Sequence, residues 1–370
     1  MLRALVVCVS ACVACTAVHD DLLAPIASPC ALGAPGVSET ITPPEVATID
    51  GNAGVRELVL DPFDRSVLYA STYQQGVWRT ADCGASWTHT NTGINAPMIE
   101  NSAPLGFALD RFTPDTLYIG ARYGGQSLWT SESAGVHWTK ILPEEIAQPL
   151  WNGDADIARI ATLPDEPHHL VMTSVGGWTG FAGDSGVFEG RLDGDTWQWV
   201  AHPPMAGMGT QQELAVIDAR TWLLVSDVIP GAAWITRDAG STFAHLDDDE
   251  AVGDGFGLYR GVDGTLYRPA HAGLLRSTDD GATWTDVFAG LALGGTRSVI
   301  GDGTTLYASS SIPDGDAAIR LFSAPEQPGD RDWMPVGDPT THSITRFVRD
   351  ELRGVLYTLT GDGIVRRMKQ

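Results

Sequence analysis

The sequence predicts an all-β protein, a single seven-bladed β-propeller of four-stranded antiparallel blades whose ring is closed by an N-terminal strand. An octapeptide of the pattern Ser/Thr-x-Asp-x-Gly-x-Ser/Thr-aromatic recurs, a short apolar strand motif appears repeatedly, and Gly-bounded turns separate the β-rich runs. Self-similarity at a regular interval indicates a fold built from one repeated supersecondary unit.

The octapeptide is clearest at 80–87 (TADCGASW), 236–243 (TRDAGSTF) and 277–284 (STDDGATW). Two degenerate copies lie at 131–138, where Ser133 replaces the aspartate, and at 194–197. The positions that the clear copies share are the hydroxyls Thr80, Thr236 and Ser277, the aspartates Asp82, Asp238 and Asp279, the glycines Gly84, Gly240 and Gly281, and the aromatics Trp87, Phe243 and Trp284.

These residue types suit a tight turn between two antiparallel strands. Glycine takes the positive φ of such a turn without steric cost. The aspartate accepts backbone N–H groups of the turn, the preceding hydroxyl adds a further bond, and the aromatic anchors the next strand. We therefore interpret these aspartates as turn fasteners and not as catalysts or metal ligands.

The strand motif counts the blades. It occurs at 67–71 (VLYAS), 116–120 (TLYIG), 169–173 (HLVMT), 222–226 (WLLVS), 265–268 (TLYR), 305–309 (TLYAS) and 355–359 (VLYTL). The first blade is predicted to have strands at 55–61, 67–71, 76–80 and 86–90. The last unit has sequence for only three strands, so its fourth is expected from 39–49, which closes the ring and removes an exposed edge. Six or eight blades are the alternatives.

The octapeptide resembles the Asp-box, or BNR, repeat of sialidases, sortilin ectodomains and photosystem II assembly factors. The resemblance covers nearly all of the predicted propeller, 39–370. It implies the propeller architecture, and it implies no particular activity, because the box is a structural hairpin in all of these families.

Composition limits the partners. The chain has 370 residues and a formal net charge of −23, which argues against nucleic acid and against direct attraction to anionic lipids. No cofactor is predicted. The acidic run at 247–250 leaves Ca²⁺ as an alternative, although it lacks a defined ligand spacing and a solvated loop is the simpler interpretation. We expect a monomer.

The N-terminus has the pattern of a secretory signal, 1–15, with a lipobox-like cysteine at Cys12 or Cys15. Lipidation there implies a bacterial outer-membrane lipoprotein, in the periplasm or at the cell surface, so that contact with a membrane would be through the lipid anchor alone. A signal cleaved near Ala17 is the alternative. A flexible tether is expected at 16–38. In an oxidising compartment, Cys30 and Cys83 are expected to form a disulfide across the ring closure.

Long loops predict the functional face. They lie at 93–105, 142–156, 174–186 and 201–213, on the face opposite the octapeptide turns, where propellers usually bind ligands. The candidate ligand-binding residues are Glu100, Arg122, Tyr123, Trp151, Asn152, Trp178, Phe181, Gln211 and Glu213. The alternative is that the aromatics only pack the loops against the blades.

Two functions follow. The main hypothesis is a non-catalytic propeller that binds a protein client or a glycan at the cell envelope. The alternative is a glycoside hydrolase that uses Asp154 or Asp156 with Asp184, because glycoside hydrolysis needs two carboxylates. The motif that precedes the boxes of sialidases is absent, and the candidate inner-strand arginines are Arg56, Arg159, Arg297 and Arg346. No zinc, phosphate-loop or serine-triad motif is present.

Overall fold

The computed structural model describes residues 30–49, 52, 54–122, 127–147, 156–174, 186–202, 212–226, 233–246, 257–270, 273–288, 295–310, 319–326, 332–340 and 342–370. These residues form seven four-stranded antiparallel sheets, which confirms the predicted fold. Among them, no helix is both long and apolar enough to cross a membrane. The helices are α1 (Ala96–Glu100) and α2 (Glu144–Ala147).

Each blade runs from an inner strand at the central channel to an outer strand at the rim. The strands by blade are, in blade 1, β2 (Val55–Leu60), β3 (Leu68–Thr72), β4 (Val77–Thr80) and β5 (Thr88–His89); in blade 2, β6 (Gly106–Leu109), β7 (Leu117–Ala121), β8 (Ser127–Ser131) and β9 (Thr139–Lys140); in blade 3, β10 (Ile157–Thr162), β11 (His169–Ser174), β12 (Val187–Asp193) and β13 (Thr196–His202); in blade 4, β14 (Gln212–Val216), β15 (Trp222–Ser226), β16 (Ala233–Thr236) and β17 (Ala244–Leu246). The remaining blades are blade 5, with β18 (Tyr259–Arg260), β19 (Leu266–Pro269), β20 (Leu274–Ser277) and β21 (Thr285–Asp286); blade 6, with β22 (Thr296–Gly301), β23 (Thr305–Ser310), β24 (Ile319–Pro325) and β25 (Met334–Thr340); and blade 7, with β26 (Ile344–Asp350), β27 (Val355–Thr360), β28 (Val365–Lys369) and β1 (Ser38–Thr40).

The second strand of a blade carries the repeated apolar motif because both of its faces are covered. Every residue of β3, β7, β11 and β27 is buried. A strand that is buried on both faces shows a continuous apolar run instead of an alternating one. Face-to-face packing of neighbouring blades therefore accounts for the Leu-Tyr and Leu-Val runs that the sequence repeats.

The ring is closed by β1, which pairs with β28 in the sheet of blade 7. The closing strand occupies 38–40, at the start of the predicted 39–49 segment, and Ile41 continues by donating its N–H to the Val365 carbonyl at 2.8 Å. The N-terminal segment is thereby built into the last blade and completes its four strands.

Two further contacts hold this seam. Cys30 and Cys83 form a disulfide that joins the N-terminal segment to the turn of blade 1. The buried Arg367 guanidinium donates to the Cys83 and Ala31 carbonyls at 2.9 and 2.7 Å, and to Glu39 at 2.8 Å. One cation thus ties the first blade, the last blade and the closing strand together.

The repeated octapeptide forms the turn between the third and fourth strands of blades 1, 4 and 5. In blade 5, Ser277 Oγ donates to Asp279 at 2.7 Å and accepts the Gly281 N–H at 2.9 Å. Asp279 in turn accepts both the N–H and the hydroxyl of Thr283, and these bonds hold its pKa at about 2. The carboxylate of Asp279 thus accepts three hydrogen bonds within the turn, as a structural residue would.

The two degenerate copies behave differently. In blade 2, Ser133 accepts the His137 N–H at 2.9 Å, and Ser131 accepts the Gly135 N–H at 3.0 Å, so a hydroxyl replaces the aspartate in the same turn. In blade 3, the segment around Gly194 is a two-residue hairpin between β12 and β13, with Gly194 at φ 60°. Only the first of these copies keeps the hydrogen bonds of the octapeptide turn.

Candidate functional site

The loops from the second to the third strand, and from the fourth strand to the next blade, emerge on the face opposite the octapeptide turns, here called the loop face. Several predicted site residues lie outside the described part of the chain: Tyr123, Trp151, Asn152, Asp154, Trp178, Phe181, Asp184 and Gln211, together with the acidic run 247–250. Described residues of the predicted site are Glu100, Arg122, Asp156 and Glu213.

Arg122 and Asp156 form an ion pair on the loop face. Arg122 follows β7, Asp156 precedes the inner strand β10, and Arg122 Nε donates to Asp156 Oδ2 at 3.1 Å. The side chains are 14% and 23% exposed, so the pair is largely shielded. The other oxygen, Asp156 Oδ1, is buried without a hydrogen-bond partner within the described residues. This oxygen is a buried acceptor at the start of β10.

Glu100 has a structural role. It ends α1, where its carboxylate contacts His89 Nε2 at 3.1 Å and accepts the side-chain amide of Asn91 at 2.9 Å. Asn91 also donates to the Ala96 carbonyl at 2.9 Å. These contacts fasten the 93–105 loop to the outer strand of blade 1.

Glu213 lies in the central channel and not on an open surface. Its Oε1 accepts Arg159 Nε at 2.7 Å and Arg346 Nη2 at 2.9 Å. Arg346 also donates to both oxygens of Glu57, at 2.8 and 3.1 Å, and Arg159 Nη1 lies 3.5 Å from Glu57. We call these four residues the channel cluster; it joins the inner strands of blades 1, 3, 4 and 7.

A register shift in the inner strand precedes three of the four residues of the channel cluster. The pairing of β2, β10 and β26 with the next strand shifts just before Glu57, Arg159 and Arg346. A β-bulge of this kind re-aims the following side chain. Arg56 and Arg297 are instead the extra residues of the bulges in β2 and β22, so the predicted arginines occupy two different positions; Arg56 donates to Asn52 at 3.2 Å.

The channel cluster is charge-balanced and buried, with side chains 11–15% exposed. Burial opposes ionisation of Glu213, but the guanidiniums of Arg159 and Arg346 outweigh it and lower the pKa of Glu213. Burial likewise opposes the charge of Arg346, and Glu213 and Glu57 outweigh it and raise the pKa of Arg346. Glu213 and Arg346 therefore keep their charges, and the cluster lies across the channel between four inner strands.

Within the described residues, no group of three or more His, Cys, Asp or Glu side chains could hold a metal ion. His168 and His169 follow a turn of blade 3, and both contact carboxylates of blades 2 and 3. His169 lies between Glu166 and Glu189 at 2.9 and 2.7 Å, and His168 contacts Asp110 at 3.2 Å.

Comparison with known proteins finds xyloglucanases. The chain is 26% identical over 287 residues to a xyloglucanase of Hypocrea jecorina (strain QM6a), a match that covers 64% of this chain and 33% of the relative. A xyloglucanase of Paenibacillus sp is 25% identical over 166 residues, which is 40% of this chain and 14% of the relative. The chain thus spans a third or less of the curated relatives it matches. No protein family model matches it.

Solved structures show the same fold. The GH74 xyloglucanase of Xanthomonas campestris superposes with a TM-score of 0.60 at 17% identity, over 90% of this chain and 53% of that one. YCF48 bound to D1 peptide gives a TM-score of 0.61 at 14% identity, over 90% of this chain and 97% of that one. At these identities the likeness concerns the fold alone.

The prediction of a non-catalytic binding propeller was wrong, because both curated relatives are xyloglucanases, which are hydrolases by name, and a GH74 xyloglucanase shares the fold. They favour the alternative hypothesis of a glycoside hydrolase. The absence of the sialidase motif argues against sialidase activity and not against the hydrolysis of other glycans. That motif serves the recognition of an acidic sugar, which a hydrolase of a neutral polysaccharide does not need.

Proposed function

We propose that this protein is a glycoside hydrolase of the Asp-box propeller type that acts on xyloglucan or a related polysaccharide. The observation that carries the proposal is the sequence similarity to a xyloglucanase along 287 residues. The hydrogen-bonded octapeptide turns of blades 1, 4 and 5 support membership of the Asp-box group.

The loop face is the proposed substrate surface, since the long loops predicted to form the functional face emerge there. Asp156 is a described carboxylate on this face, with one oxygen held by Arg122 and the other without a partner among the described residues. An ion-paired carboxylate suits the nucleophile or base of a glycosidase pair. We assign the general acid to Asp154 or Asp184, aspartates of the loops 142–156 and 174–186.

The separation of the two proposed carboxylates determines the stereochemical outcome of hydrolysis. Separations of roughly 5–5.5 Å between the two groups produce retention of the anomeric configuration, and roughly 6.5–9.5 Å produce inversion. Proton NMR of the first product will assign the mechanism.

Release of new reducing ends from xyloglucan, mixed-linkage β-glucan and carboxymethylcellulose tests the proposal. The variants Asp154→Asn, Asp156→Asn and Asp184→Asn are compared with Asp165→Asn, an exposed aspartate of blade 3 at the opposite end of the same inner strand. We expect activity in the wild type and in Asp165→Asn, and a loss of about 10²-fold or more in Asp156→Asn and in one of the other two. Equal rates in all four variants would contradict the assignment.

We also propose that the protein is exported and anchored through a lipid on Cys12 or Cys15. The proposal is supported by the N-terminal sequence pattern, which lies outside the described residues. Mass spectrometry of the N-terminal peptide from membrane fractions tests it. A diacylglyceryl cysteine is expected; an unmodified N-terminus that begins after Ala17 would show a cleaved, unanchored protein.

A further inference from the structure

A second cavity lies on the face of the octapeptide turns, opposite the proposed substrate surface. It has a volume of about 690 Å³, and the channel cluster is its floor. Its walls are the inner strands of blades 1–4 and 7 and the segment 257–260 of blade 5. On the loop-face side of the same floor lies a separate space of only about 110 Å³. The cluster thus divides the channel into two unequal chambers.

The charge of the large chamber is opposite to that of the protein. The chain has 46 acidic and 23 basic residues, yet this chamber is lined by six arginines and two glutamates. The two glutamates, Glu57 and Glu213, are neutralised by Arg159 and Arg346 in the floor. The other four arginines of the lining, Arg65, Arg111, Arg260 and Arg349, lie near the mouth, and one of them, Arg349, is paired with Asp302.

These four arginines come from blades 1, 2, 5 and 7 and surround the channel axis at the ends of the inner strands. Arg349 pairs with Asp302 at 2.6 Å, and its Nε is buried without a hydrogen-bond partner among the described residues. Burial lowers the pKa of Arg349, so an anion beside it would stabilise its charge. Arg260, which is exposed, donates through Nη1 to the Ile217 carbonyl at 3.1 Å.

The walls add a different kind of binding group. Each inner strand pairs with a neighbour on one side only, so the N–H and C=O groups of its other edge face the channel. Such edges hydrogen-bond hydroxyl groups, and guanidiniums bind carboxylates in a bidentate manner. The chamber volume is that of a small-molecule site, and the strongly acidic surface outside it opposes long polyanions.

We propose that this chamber is a binding site for the carboxylate of a sugar acid, either free or at the end of an acidic oligosaccharide. The four mouth arginines bind the carboxylate and the strand edges bind the hydroxyls. The site is distinct from the proposed active site, since the channel cluster lies between the chamber and the loop face, and it does not depend on the proposed hydrolysis.

Isothermal titration with glucuronate, a glucuronate-terminated oligosaccharide and glucose tests the proposal on the full chain. We expect the acids to bind and glucose not to bind, with affinity that falls as salt rises. The double variant Arg65→Gln, Arg260→Gln should weaken binding by at least about tenfold. Arg65→Lys, Arg260→Lys should recover part of the loss, and Arg237→Gln, an exposed arginine of blade 4, should bind like the wild type.

Binding of the monosaccharide would identify a free metabolite as the ligand, and binding of the oligosaccharide alone would identify an acidic glycan end; both outcomes support the site. Equal affinity for glucose and glucuronate, no binding of either acid, or unchanged binding in the glutamine variant would each overturn it. Circular dichroism of the variants shows whether the fold is intact. Asp156→Asn should leave the affinity unchanged, which separates this site from the active site.

Discussion

Arg346 and Glu57 are 289 residues apart in sequence and form a bidentate ion pair across the seam of the ring, with Nε–Oε2 and Nη2–Oε1 distances of 2.8 and 3.1 Å. The last inner strand is thereby attached to the first, in addition to the closing strand and the disulfide. The pair also completes the floor that separates the two chambers of the channel.

Replacing one member of this pair should be more damaging than replacing both. Arg346→Met leaves Glu57 and Glu213 buried with only Arg159 for neutralisation, and removal of one partner from a buried pair costs about 3–5 kcal/mol. Denaturant unfolding monitored by tryptophan fluorescence measures this free energy. The double variant Glu57→Gln, Arg346→Met should lose less; a purely additive pair of losses would show that the two residues do not interact.

The disulfide should stabilise the closed ring. Cys30 and Cys83 enclose a loop with a sequence separation of 53, and removing such a link typically costs about 2–4 kcal/mol. Thermal unfolding of Cys30→Ser, Cys83→Ser beside the wild type measures the loss. Equal numbers of reactive thiols in the denatured wild type with and without prior reduction would show that the bond does not form.

The hydroxyl group of Thr80 should contribute more to the free energy of unfolding than the shape of its side chain does. Thr80 is 1% exposed, donates to Asp82 at 2.7 Å and accepts the Gly84 N–H at 2.9 Å. Thr80→Val keeps the shape and leaves a buried N–H without an acceptor, which costs about 1–3 kcal/mol. Thr80→Ser, the natural choice in the copy that begins at Ser277, should stay close to wild type in chemical denaturation. Equal stability of the two variants would refute the role of the hydroxyl.

Acid should weaken blade 3 through Glu189, which lies on β12 between His169 of β11 and His202 of β13. Burial opposes its ionisation, but His169 at 2.7 Å and His202 at 3.6 Å outweigh burial and lower its pKa from 4.5 to about 2. A lowered carboxylate pKa stabilises the fold above the unfolded value and loses that stabilisation as pH falls from 4.5 towards 2. The free energy of unfolding should therefore decline over this interval, and Glu189→Gln should flatten the decline. An unchanged slope in that variant would contradict the assignment.

The sequence predicts the ring well because each blade repeats the same local rules. The strand motif identifies strands that are buried on both faces. Gly281, with φ +79°, marks a turn whose backbone conformation residues other than glycine rarely adopt. The closing strand follows from the missing fourth strand of the last unit. Its exact position, 38–40, depends on pairing with β28, which the sequence of the segment alone does not determine.

The candidate site is harder to predict because bulges break strand parity. The alternation of side chains along a regular strand does not predict that Arg159 and Arg346 point towards Glu57 and Glu213. The register shifts just before Arg159 in β10 and Arg346 in β26 turn these side chains into the channel. The sequence therefore predicts Glu213 as a ligand-binding residue of the loop face, whereas in the structure it belongs to the channel cluster. The signal that the sequence does contain is the similar position of Glu57, Arg159 and Arg346 near the starts of their inner strands.

Cleavage of xyloglucan in H₂¹⁸O tests whether this protein is a glycoside hydrolase. A hydrolase transfers one solvent oxygen to each new reducing end, so mass spectrometry of the early oligosaccharide products should show a single ¹⁸O label above the enzyme-free exchange. The products should disappear with Asp156→Asn and persist with Asp165→Asn. Intact polysaccharide after prolonged incubation, or unlabelled products that arise by elimination, would contradict the account of this propeller as a glycoside hydrolase.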